Sequence, residues 1–137
     1  MKKIGLSVLF MVLLMTSLGD AEDKGKIAVA AKENTIASEV SGVAARSPYF
    51  LIFNRAGTLL EAVDNPYTEA GRRAGASVVP FLAQKGVAAI VAGNFGKNMI
   101  QAMESQGMQY IEFQGRAEAA LKKALEATNN DRRPPKR

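Results

Sequence analysis

The spacing of apolar residues switches repeatedly along the chain between continuous runs and a helical period, and each switch predicts a different element. The run KIAVAA from Lys26 is almost continuously apolar and stops at the turn-prone Lys32-Glu33-Asn34, the pattern of a buried strand. YFLIFN (Tyr49 to Asn54) and TLLEAV (Thr58 to Val63) predict two more strands. Only Arg55-Ala56-Gly57 separates them. So short a connection makes a hairpin, and the pair is antiparallel.

Beyond this hairpin the period lengthens. Ala70 to Lys85 is alanine-rich and reads as a helix, Val87 to Ala92 as a continuous apolar strand, and Phe95 to Gln106 as a helix with Phe95, Met99, Ala102 and Met103 on one face. Gln109 to Phe113 predicts a strand, and Ala117 to Ala127 a helix with Ala120, Leu121, Ala124 and Leu125 on one side. Gly86 and Gly107 stand where helices end. Pro80 conflicts with a helix interior, because proline removes a hydrogen bond and crowds the preceding turn, so a kink or a late helix start is expected there. Strands alternating with helices imply right-handed crossovers and a parallel portion of sheet covered on both faces. With the hairpin on one edge, the sheet is mixed.

The 137 residues suit one domain. At the start, Lys2 and Lys3 precede an uncharged apolar stretch from Ile4 to Leu18, followed by small residues at Gly19 and Ala21, the layout of a secretory signal peptide. The stretch is about 15 residues, short of the roughly 20 that span a bilayer. The expected organisation is a signal peptide over 1–21, a linker over 22–25, a domain over 26–127 and a disordered basic tail over 128–137, with the mature protein periplasmic or secreted. A membrane contact follows only if the signal is uncleaved.

The chain contains no cysteine and no histidine, which excludes disulfides and both thiolate and imidazole metal ligands. Its formal net charge is +5, but Arg132, Arg133, Lys136 and Arg137, against Asp131, supply most of what remains once the signal is removed. The folded part is therefore nearly neutral, and nothing in it points to a nucleic-acid-binding face. An enzyme would need a nucleophile beside a base. None is evident, and the acids Glu61, Asp64 and Glu112 are scattered.

Three loops could hold a ligand. GNFGKN, Gly93 to Asn98, follows a predicted strand and opens a predicted helix, where α/β sheets bind ligands. Backbone N–H groups there, with Lys97 and the amides of Asn94 and Asn98, suit an anion, although a tight glycine turn explains the same residues. In the second, YTEAGRRAGAS, Gly71 and Gly75 bracket Arg72 and Arg73, which can grip an anion in bidentate fashion or lie on a solvated first turn. The third, SEVSGVAARSPYF from Ser38, is long and rich in small residues, with Arg46 before Ser47-Pro48. Met99 and Met103, four apart on the predicted core face, are better explained by packing than as a copper(I) site.

Taken in register, these segments resemble the dinitrogenase iron-molybdenum cofactor biosynthesis family, a nitrogenase accessory factor-like domain. The likeness rests on KIAVA, SEVSGVAARSPYFLIF, Asn65-Pro66, AGRRAGAS, LAQKGVAAIVAGNFGKNMIQAMESQGMQ and AEAALKKAL, across residues 26 to 127. The resemblance implies a three-layer α/β/α fold with a ribonuclease-H-like motif and a five-stranded mixed sheet in the order 3-2-1-4-5. It also implies carriage of an iron-sulfur or iron-molybdenum type cluster, held here without His or Cys ligands, with Ser38, Arg46, Arg72, Gly93, Asn94 and Gly96 as the site; Arg73 and Lys97 join them on charge. The expected function is an exported, non-enzymatic binding or carrier domain for a small anionic ligand. The alternative is a structural or protein-partner-binding module, for instance a homodimer through a sheet edge.

Overall fold

The computed structural model describes residues 25–130. The expected signal peptide, most of the linker and the tail from Asp131 lie outside the described residues. Five strands form one sheet: β1 (Lys26–Ala31), β2 (Tyr49–Phe53), β3 (Leu59–Asp64), β4 (Val87–Ala92) and β5 (Gln109–Glu112). Their order is β3-β2-β1-β4-β5, as expected. β1, β4 and β5 run parallel, while β2 is antiparallel to both β1 and β3.

Alternation along the strands divides the core. Ala28 and Ala30 of β1, Phe50 and Ile52 of β2 and Ile90 and Ala92 of β4 face one side, and Ile27, Val29, Ala31, Leu51, Phe53, Ala89 and Val91 face the other. On the first side pack α1 (Ala74–Gln84), through Val78, Val79 and Leu82, and α2 (Lys97–Ser105), through Met99 and Met103. The second side is covered by α3 (Ala117–Asn130), through Ala117, Ala120, Leu121 and Ala124. The result is the three-layer α/β/α arrangement. Each large side chain so buried stabilises by about 1.5–3 kcal/mol, and Phe50, Phe53 and Leu82 are fully enclosed.

Three boundaries differ from the sequence reading by more than one residue. α1 begins at Ala74 after a 3₁₀ turn over Gly71–Arg73 rather than at Ala70, and it continues through Pro80. Pro80 is exposed, and so is Ala76 four residues back, so the carbonyl that loses its partner can turn to water. Phe95 does not open α2. It stays in the loop, buried, with its ring 5.6 Å from that of Tyr110, and Gly96 is the extended residue before the helix. α3 extends into the segment assigned to the disordered tail, because Thr128 is buried and its hydroxyl donates to the Ala124 carbonyl at 2.9 Å.

The two ends of the sheet differ. At one, the chain enters β1 beside the β2–β3 hairpin. Arg55 Nε donates to the Gly25 carbonyl at 2.9 Å, and Lys26 N–H to that of Gly86 at 3.0 Å. Leu121 and Leu125 of α3 approach Gly57 of the hairpin, so the last helix also points to this end. The opposite end, where β1 and β4 finish, carries the loops singled out above. No helix among the described residues is long and apolar enough to cross a membrane.

Candidate functional site at the carboxyl ends of the parallel strands

The loop after β1 is fastened to the loop after β4 by backbone alone. Ser41 N–H donates to the Ala30 carbonyl at 2.8 Å, Gly93 N–H to that of Ser41 at 2.9 Å, and Ala44 N–H to that of Asn94 at 3.0 Å. Gly93 and Gly42 touch: a Cβ on Gly93 would lie 2.9 Å from the Gly42 Cα and 3.0 Å from its carbonyl oxygen. Glycine is required at Gly93 by this approach of two backbones. Gly93→Ala should cost about 1–3 kcal/mol, as overpacking does, with circular dichroism still showing the native fold; a loss under about 0.5 kcal/mol by urea unfolding would mean that the loop yields freely.

A 3₁₀ turn over Ala44–Arg46 follows. It is held by Ser47, whose hydroxyl lies 2.7 Å from the Tyr49 carbonyl oxygen and 3.1 Å from that of Ala31, and by Asn65. The Asn65 amide donates to the carbonyls of Ala45 (3.0 Å) and Ser47 (2.9 Å), and its oxygen accepts from Tyr67 N–H (2.9 Å). Asn65 thus ties the Arg46 turn to the chain leading to Gly71–Arg73. Neither residue stood among the candidates, although Asn65 lies in the quoted Asn65-Pro66 pair.

α1 and α2 meet at Gly75, where a Cβ would sit 2.8 Å from that of Met99. This close contact brings the start of each helix to one pocket of about 410 Å³, lined by Val43, Ala45, Arg46, Gly71, Arg72, Gly75, Gly96, Lys97, Asn98 and Met99. Three cations, Arg46, Arg72 and Lys97, stand around it. No carboxylate is in its wall, and no ion pair within the described residues engages them. No side chain caps α2, so the N–H groups of its first turn have no intrahelical partner and add partial positive charge.

Of the expected residues, Arg46, Arg72, Gly96 and Lys97 therefore come together. Gly93 and Asn94 position the loop rather than line the pocket. Arg73 is exposed at the end of its 3₁₀ turn and outside the wall. Ser38 lies elsewhere, buried, accepting from Glu33 N–H at 2.9 Å and donating to the Glu39 carbonyl at 2.8 Å. It lines a separate cavity with Lys32, Glu33, Ala37, Glu39 and Arg116. There the Lys32 ammonium, 3.0 Å from the Glu39 carboxylate, holds that carboxyl below its ordinary pKa through a hydrogen bond and charge. Opposite charges compensate one another in this second cavity, whereas the wall of the first carries cations and no carboxylate. Val43 in its wall went unmarked because a lone valine carries no signal, and Met99, weighed as a thioether ligand and assigned to the core on its spacing, is indeed buried there.

The family model described as dinitrogenase iron-molybdenum cofactor matches residues 25–127. The chain belongs to this family. Among solved structures, the apo form of the orange protein from Desulfovibrio gigas is similar, with a TM-score of 0.67, 22% identity, and 81% of this chain and 92% of that one covered. A Thermotoga protein described as a NifB candidate, solved by NMR, gives a TM-score of 0.61 at 28% identity, covering 79% of this chain and 90% of that one. A Methanococcus jannaschii protein described as a dinitrogenase candidate gives 0.52 at 15%, over 77% and 90%. No curated protein matches. The family fold is thus present along nearly its full length, and the pocket lies at the carboxyl ends of its parallel strands.

Proposed function

We propose that this member of the family is an exported, non-enzymatic binding or carrier domain for a small anionic cargo of the iron-sulfur or iron-molybdenum cluster type. One observation carries the reading: Arg46, Arg72 and Lys97, from three separate segments, surround one pocket whose wall has no carboxylate. Such cations attract and orient an anion through charge-assisted hydrogen bonds, with the arginines able to bind in bidentate fashion. Side-chain coordination of a metal is a poor fit. The chain has neither cysteine nor histidine, and among the described residues no group of three or more acids gathers to hold a metal ion. A cluster would be held by hydrogen bonds and charge, as cargo, and its own sulfur chemistry would remain its own.

Protein purified anaerobically from the periplasm or medium should carry stoichiometric iron or molybdenum by elemental analysis, with a charge-transfer absorption band. Metal-free protein that stays apo after incubation with clusters would turn the reading toward the competing one, a partner-binding module. That alternative has one feature in its favour, the edge strand β3 with Leu59 and Leu60 exposed.

A further inference from the structure

The chain that leads from β4 into α2 is held first by backbone and then by a side chain. Gly93 N–H donates to the Ser41 carbonyl and the Asn94 carbonyl accepts from Ala44 N–H, which fixes the path as far as Asn94. Phe95 comes next, buried in the cluster that contains Ile90, Ala92, Met99 and Met103. Gly96 and Lys97, which follow it directly, line the pocket, and no side chain caps the helix they open. Their placement is thus set by Phe95 on one flank and by the close contact of Met99 with Gly75 on the other. Phe95 in turn leans on an exposed residue. Tyr110 of β5 is the register partner of Ile90, so it faces the same side of the sheet, and its ring centre lies 5.6 Å from that of Phe95 at an angle of 56°. No strand lies beyond β5, and Tyr110 is 40% exposed. Its ring closes the core where the sheet runs out, and it is not part of the pocket wall.

We infer that Tyr110 is a positioning residue for the anion pocket: through Phe95 it holds Gly96 and Lys97 in place beside Arg46 and Arg72, and so couples the edge strand β5 to affinity. The inference rests on the anion-binding reading and extends the site to a residue outside its wall. Without the Tyr110 ring, Phe95 can settle toward the open edge and carry Gly96 and Lys97 with it, pivoting at Asn94. A displacement of about 1 Å is enough to spoil oriented, charge-assisted hydrogen bonds.

Thiosulfate, a small dianion, is the probe, titrated into full-length protein at constant ionic strength and followed by amide NMR shifts at Gly96, Lys97 and Asn98. Tyr110→Ala should weaken binding about fivefold, while Tyr110→Phe, which keeps the ring contact, should bind as the parent does. Salt dependence separates position from charge: Tyr110→Ala should keep the parent's slope, whereas Arg46→Ala should flatten it. Leu125→Ala, at the hairpin end of the fold, controls for a general loss of stability and should leave affinity unchanged. Parent affinity in Tyr110→Ala, with a lowered thermal midpoint and Arg46→Ala still weakened, would reduce the ring contact to packing and overturn the coupling while the anion site stands. A weakening by Leu125→Ala as large as that by Tyr110→Ala would overturn it as well. Shifts absent in the parent protein, or indifferent to Arg46, would overturn the anion site and the coupling together.

Discussion

Replacing Arg46 and Arg72 together with alanine should weaken anion binding by about a hundredfold, taking each arginine as one charge-assisted interaction of about 1.4 kcal/mol after allowance for exposure. Both side chains are exposed and bond to nothing among the described residues, so the thermal midpoint should not move. Raising the salt concentration should reduce the wild-type affinity and hardly touch that of the double variant, because rim charges are screened. Lysine at either position should recover only part of the loss, since an ammonium cannot bind in bidentate fashion. A double variant that binds thiosulfate or a metal cluster as well as the parent protein does would remove the two arginines from the site.

The second large effect concerns stability. Asn65→Ala should lower the unfolding free energy by about 2–4 kcal/mol, since it orphans the carbonyls of Ala45 and Ser47 and the Tyr67 N–H at one stroke, and each unpaired buried group costs about 1–3 kcal/mol unless water reaches it. Asn65→Asp should cost at least as much, because one oxygen still accepts from Tyr67 but the other, acceptor-only, replaces the donor that faced two carbonyl oxygens and brings a charge into a buried site. Urea unfolding checks both. Since Asn65 fixes the Arg46 turn without touching the pocket, the alanine variant should also bind anions more weakly where it remains folded. Stability within about 0.5 kcal/mol of the parent would mean that water replaces the amide completely.

The strands and helices were legible because their signals are periodic: β1, β2 and β4 read as apolar runs, and α3 shows its stripe at Ala120, Leu121 and Ala124. The strand order came with the family resemblance, as apolar runs do not say which neighbour each strand takes. Helix starts were misjudged by a few residues at Ala74 and Lys97. The 3₁₀ turn Gly71–Arg73 coils much as an α-helix does and local sequence does not separate the two, while the buried loop residue Phe95 continues the apolar spacing of the helix that follows.

In the site, charge was readable and division of labour was not. Arg46, Arg72 and Lys97 could be named from glycine- and charge-bearing loops, and the fold gathers them. Gly93 and Ser38 look like ligand groups in one dimension, yet one serves a backbone crossing and the other braces a turn, partners that no local spacing reveals. Asn65 is the converse case. It lies between the second and third of those loops, yet its amide supports the site from behind.

Both ends of the described fold emerge beside the β2–β3 hairpin, while the pocket opens at the other end of a sheet whose central strand β1 spans six residues, roughly 20 Å. Handling the protein therefore need not obstruct it. The described fold, immobilised on a sensor chip or electrode through a tether at Gly25 or at the end of α3, would present the pocket outward, with the tether clear of the rim. Fluorophores attached at Val43 would respond to ligand; the same dyes at Ala56 in the hairpin would serve as the silent reference.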